Sequence, residues 1–202
     1  MKNILIYDSL TPGKIEYPLE FELKKLGYKA HTFDYIKYFI NPNSFFQKVI
    51  NKVNYRLTKQ KINFNLINLV KGNSFDLMII CYGKHLDYKT IKTLKGIIPV
   101  IVNWNSDDIF NKLNTSKDLI KSISLFDIHF TPRIHLIEEY KRHGAKKFIE
   151  LDWYYRSGYL KDSINKNQLN RVYFAGSYSE RRNKIISNIK HENIYVSGWG
   201  WN

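Results

Sequence analysis

Cysteine is nearly absent from this chain of 202 residues, with Cys81 standing alone. That excludes an intrachain disulfide and a thiolate zinc site, and it fits a reducing cytoplasm. Proline and glycine are scarce too, at 5 and 10 residues, so collagen-like and low-complexity readings fall away. No apolar run approaches the roughly 20 residues that a membrane-spanning helix needs. The opening, Met1-Lys2-Asn3-Ile4-Leu5-Ile6-Tyr7-Asp8, holds too short an apolar stretch for a signal peptide. Acidic residues are outnumbered: 18 Asp and Glu face 32 Lys and Arg, for a net charge of +14 and a pI near 9.6. Such a balance suits nucleic acid, phosphorylated small molecules or an acidic membrane face, or it serves solubility alone. What remains is an ordinary globular composition, 44% hydrophobic and 25% charged. The expected setting is the cytoplasm, or a peripheral place on the inner membrane face.

Short apolar segments alternate with helical patterns from the first residue. This predicts an α/β fold with a Rossmann-like, doubly wound parallel sheet. Strands are expected near 4–7, 29–33, 77–81, 98–102, 126–130 and 147–150. After the turn Thr11-Pro12-Gly13, Leu19, Leu23 and Leu26 recur at helical spacing before Gly27. Phe46, Val49, Ile50, Val53 and Leu57 share a second helical stripe, with Lys48, Lys52 and Arg56 on other faces. Such a helix covers a sheet or lies on an anionic membrane surface. A short helix is expected near Tyr88–Leu94. Phe126, Ile128 and Phe130 alternate with Asp127 and His129, which predicts one wetter face on that strand. Thr131-Pro132 reads as the N-cap and first residue of a helix that closes at Gly144. Residues 152–170 break the rhythm, so a first domain is expected over 1–165. Over 166–202 the pattern restarts as strand Arg171–Ala175, helix Ser179–Lys190 and strand Ile194–Val196. One βαβ unit has too little apolar area to stand alone, and it reads as the incomplete start of a second Rossmann-like domain.

Three loops hold residues fit for chemistry. Ser106-Asp107-Asp108 follows a buried strand, where open parallel sheets form their binding crevice. Asp107 or Asp108 there can serve as a general base towards a hydroxyl, or the group can simply cap a turn. Gly83-Lys84-His85 follows the preceding strand and should line the same cleft, together with Thr11–Gly13. Lys84 suits an anion, and His85 suits acid or base work near neutral pH. No His or further carboxylate stands at ligand spacing nearby, so no metal is expected. Gly176-Ser177-Tyr178-Ser179-Glu180-Arg181-Arg182 is a strand–turn–helix junction in which Ser177 and Glu180 make a capping box. Arg181 and Arg182 oppose the helix dipole by about 0.3–1 kcal/mol each unless an anion binds there. No nucleic-acid motif accompanies the basic charge, so no specific nucleic-acid partner is expected.

The combined string resembles the CgeB-like (spore maturation protein) glycosyltransferases. The likeness lies in Asn103-Trp104-Asn105-Ser106-Asp107-Asp108, in Phe126-Asp127 through Phe130-Thr131-Pro132-Arg133, and in Tyr140 through Lys147. It continues in Val172 through Arg182 and in the closing Gly198-Trp199-Gly200-Trp201. The resemblance implies a GT-B architecture of two Rossmann-like domains. The first faces a glycan or protein acceptor, at the cell surface or elsewhere. The second holds a nucleotide-sugar donor as co-substrate, without a dependence on bound metal. Under that plan Asp107, Asp108 and His85 are the catalytic candidates, and Gly176, Ser177, Arg181 and Arg182 bind the donor. Asp152 departs from the family, which usually shows proline there. The carboxylates expected to hold donor sugar and ribose are not in this sequence, so donor binding is expected to be weak and this chain by itself inactive in transfer. The alternative is a non-catalytic binding module derived from such an enzyme.

Overall fold

Strand-forming residues and burial coincide first in β1 (Asn3–Asp8), where Ile4, Leu5, Ile6 and Tyr7 are all buried. A strand apolar on both faces belongs inside a parallel sheet. The computed structural model describes residues 2–9, 19–39, 54–112, 114–151, 172–189 and 193–201. They fall into two compact units, Met1–Trp153 and Tyr154–Asn202.

The first unit is α/β and Rossmann-like. It contains α1 (Leu19–Lys25), β2 (Lys29–Asp34), α2 (Tyr55–Lys71), β3 (Leu77–Cys81) and α3 (Tyr88–Lys95). Then come β4 (Val100–Trp104), α4 (Lys117–Ser122), β5 (Ile128–Thr131), α5 (Ile137–Arg142) and β6 (Phe148–Glu150). All six strands are parallel, in the order β2-β1-β3-β4-β5-β6. Helices lie on both faces. Ile62, Leu66 and Val70 of α2, Ile91 and Leu94 of α3, and Leu119 of α4 pack with Leu5, Tyr7, Met78, Ile80 and Ile101. On the other face Leu19 and Leu23 of α1 meet Ile4, Ile6 and Ala30. The chain steps from β1 to β2 one way and to β3 the other, so the carboxyl ends of β1 and β3 flank the crevice where such sheets bind ligands.

Several local expectations are corrected. The strand expected at 98–102 begins two residues later, at Val100. The N–H groups of Ile97 and Ile98 close the last turn of α3 on the Leu94 carbonyl and are lost to a ladder. Thr131 is the last residue of β5, not a helix cap, and its hydroxyl accepts the Arg133 N–H at 3.1 Å. Nor does β5 have a wet face at His129, which is wholly buried. α5 covers that face, and Phe126, Tyr140 and Phe148 surround the imidazole. The stripe expected from Phe46 to Val53 and the Thr11–Gly13 turn lie outside the described residues, as does the domain boundary at 165. Leu57, the last of that stripe, is exposed.

The second unit pairs β7 (Val172–Ala175) with β8 (Ile194–Ser197) in parallel around α6 (Glu180–Ser187). The helix cap is Ser179, not Ser177: its hydroxyl accepts the Arg182 N–H. Past β8 the chain folds over the Gly176 turn. Trp201 Nε1 donates to the Gly176 carbonyl at 2.7 Å, and a Cβ on Gly198 would lie 2.1 Å from that same oxygen.

Candidate functional site

Parallel pairing brings the loops after β3, β4 and β5 to one edge, and three of their side chains meet there. The first is Tyr82, directly after β3. It has φ +61°, and the Gly83 N–H reaches back to the Cys81 carbonyl at 2.7 Å. That is a γ-turn of the positive-φ kind, rare and strained. A bulky residue held there costs about 1–3 kcal/mol, a cost that gathers at functional sites. The next residue must be glycine. Gly83 has φ +77°, and a Cβ would press on Ile80 Cγ2 at 3.0 Å.

Tyr82 Oη lies 2.8 Å from Ser106 Oγ in the loop after β4. Arg133, after β5, donates from Nε to the Ser106 carbonyl at 2.9 Å. Its Nη2 stands 3.9 Å from Asp107 Oδ1. Tyr82, Ser106, Asp107 and Arg133 thus form one polar cluster, with Asp107 the most open member at 46% side-chain exposure. Buried beside it at the same edge are Ser9, Asn103 and Asn105. Ser9 Oγ, Asn103 Oδ1 and Asn105 Oδ1 have no hydrogen-bond partner among the described residues. Each such group costs about 1–3 kcal/mol. Asn103 and Asn105 also donate from Nδ2 to the Ile80 and Tyr82 carbonyls, at 3.0 and 3.5 Å, and so tie the end of β4 to that of β3.

The adjacent carboxylates have separate tasks. Asp108 Oδ1 accepts the Phe110 N–H at 2.8 Å and so caps the following turn. Asp107 makes no comparable contact among the described residues. His85 sits on the same edge, but in another cluster. Its Nδ1 is 3.0 Å from Tyr55 Oη, and its ring packs on Tyr35 and Phe39 at 5.1 Å each. Its loop is fastened to α2: Asn63 donates to the His85 carbonyl at 2.9 Å and accepts the Asp87 N–H at 2.8 Å. Lys59 bridges Asp87 and Asp118 at 2.5 and 2.8 Å. Lys84 is half-buried in that loop. Two cavities, of about 290 and 320 Å³, open at the opposite, amino-terminal edge and hold none of these residues.

In the second unit the proposed donor residues divide. The Gly176 N–H is taken by the Ser197 carbonyl at 2.8 Å, and the Ser177 carbonyl by Arg182 Nη1 at 2.6 Å. The Arg182 guanidinium also lies over the Phe174 ring at 5.8 Å. Arg182 therefore has a structural reason to stand in the first turn, which corrects the expectation that only an anion explains it. Arg181 is exposed and forms no hydrogen bond or ion pair among the described residues.

Reasoning along the sequence singled out Asp107 and His85 but missed Tyr82 and Arg133 as site residues. Among the described residues no three His, Cys, Asp or Glu side chains gather as a metal-ligand set, and no helix is long and apolar enough to cross a membrane. No family model and no curated protein matches the chain.

Proposed function

We propose that the chain is glycosyltransferase-like, built to move a sugar from a nucleotide-sugar donor to an acceptor hydroxyl. What supports the reading is Asp107: an open carboxylate beside a guanidinium, at the carboxyl edge of a Rossmann-like sheet. Asp107 takes the proton of the acceptor hydroxyl as its oxygen bonds to the anomeric carbon. The bond from that carbon to the diphosphate breaks, and the nucleoside diphosphate leaves with the electron pair. Within the second unit, Arg181 and the first turn of α6 suit a diphosphate by charge. His85, caged by aromatic rings, has a packing role in this scheme, and Asp108 a capping one.

Calorimetric titration of uridine and guanosine diphosphate sugars tests the donor half. Weak binding that Arg181→Ala abolishes is the expected result. Arg182→Ala should also loosen the Gly176 turn, visible as lost tryptophan anisotropy. Binding that ignores Arg181 removes the donor role. One observation favours a second reading, a binding module without transfer: Arg182 and the Gly176 amide are already engaged within the chain. A chain that binds acceptor sugars but no nucleotide sugar is that module.

A further inference from the structure

We infer that the outer side of α2, α3 and α4 rests on an anionic lipid surface, a property separate from sugar transfer. The three helices lie next to one another on one face of the sheet. They hold four, three and two Lys or Arg residues, and their only carboxylate is Asp118. Lys59 binds both Asp118 and Asp87, the cap of α3, so the negative charge of the layer is neutralised within it. Elsewhere charges cancel along each helix. Glu20 pairs with Lys24 and Glu22 with Lys25 on α1, and Glu138 with Lys141 and Glu139 with Arg142 on α5.

The other cations of the layer face away from the core. On α3, Lys89 and Lys92 are exposed opposite the buried Ile91 and Leu94. On α4, Lys117 and Lys121 are exposed opposite the buried Leu119, with Lys121 over the Tyr88 ring at 4.5 Å. Arg56, Lys61 and Lys71 are exposed on α2. None of these seven forms an ion pair among the described residues. Two apolar side chains stand with them. Leu57 and Phe64, 59% and 65% exposed, lie on the α2 side opposite Ile62, Leu66 and Val70. They are two turns apart, about 10 Å along the helix. An interfacial helix places such side chains among the acyl chains while lysines keep their ammonium groups at the phosphates. A nucleic-acid backbone has no apolar layer to receive Leu57 and Phe64. Six of the seven cations are also lysines, which lack the bidentate fork that suits nucleic-acid recognition. Charge and apolar crest together therefore favour a lipid surface.

The test sediments the full chain with vesicles of phosphatidylcholine, alone or with about one-third phosphatidylglycerol. Binding to the anionic vesicles only is expected. It should weaken about fivefold for each of Lys89→Gln and Lys92→Gln, and about tenfold for Phe64→Gln. All three side chains are exposed, so circular dichroism should not change. A second measurement locates the contact. Cys81 is buried, so a polarity-sensitive dye attaches to Phe64→Cys alone, and its emission should move to the blue with anionic vesicles. The control is Glu22→Cys on α1, across the sheet, where Phe21 and Leu26 are also exposed but stand among paired charges. A blue shift there and none at Phe64→Cys overturns the inference, as does sedimentation unchanged by Phe64→Gln. A chain that holds a DNA duplex of random sequence but ignores anionic vesicles overturns it too, and makes the layer a nucleic-acid surface.

Discussion

His129 shows how a single side chain ties stability to pH. It is wholly buried, and desolvation pushes its pKa from 6.5 down to about 4, against the pull of the Ile123 carbonyl that Nε2 contacts at 3.0 Å. Below pH 6.5 the unfolded chain takes up a proton that the folded chain refuses until about pH 4. Stability is therefore lost across that window, by about 3 kcal/mol in all. Urea midpoints at pH 7.5 and 4.5 should differ accordingly, and His129→Phe should flatten the difference. Asp127 acts lower on the scale. Burial raises its pKa, but the Lys95 ammonium and the Ile101 N–H outweigh that and hold it below the usual value. Its contribution is present at neutral pH and fades as pH falls from the ordinary carboxylate value through that lowered one. Gly83 is the other sensitive position. Gly83→Ala combines positive φ with a 3.0 Å contact to Ile80 and should cost about 1–3 kcal/mol in denaturant unfolding.

Among elements, α2 carries weight beyond its packing. Its Asn63 links Lys59, His85 and Asp87 through three hydrogen bonds at 2.6–2.9 Å. Asn63→Leu keeps the size but strands the Asp87 N–H and the His85 carbonyl, at a cost of about 3 kcal/mol. A urea midpoint unchanged by that substitution would show the loop to be held otherwise. The strands were legible because buried parallel strands read as short apolar runs, as in Leu77-Met78-Ile79-Ile80-Cys81. The body of α2 was not. Its inner face mixes Thr58 and Asn63 with Ile62, Leu66 and Val70, so polar residues that fasten a loop break the apolar stripe. His129 misled for a related reason: alternation signals a wet face only when nothing covers it. The cluster of Tyr82, Ser106 and Arg133 was beyond reach, since successive members stand 24 and 27 residues apart and only strand register joins them.

At the scale of the whole molecule the two units differ in kind. Met1–Trp153 contains the three apolar clusters that are buried among the described residues. In the other unit none of the described residues is buried, and Trp199 is 85% exposed. Hydrophobic burial is what offsets chain entropy, so residues 1–153 expressed alone should unfold cooperatively, with a midpoint close to that of the full chain. Residues 154–202 alone should show no cooperative transition by circular dichroism. A sharp transition in the shorter piece would mean that its order comes from something other than burial.

Cys81 brings a measuring device with it. The chain's single thiol is 0% exposed, and its carbonyl anchors the γ-turn at Tyr82. A disulfide reagent such as Ellman's can react only while the end of β3 is lifted away from its neighbours. The labelling rate, divided by that of a free thiol, is then the fraction of time this edge stands open. No engineered probe is required, and anything that settles into the crevice beside Tyr82 should register as a slower clock.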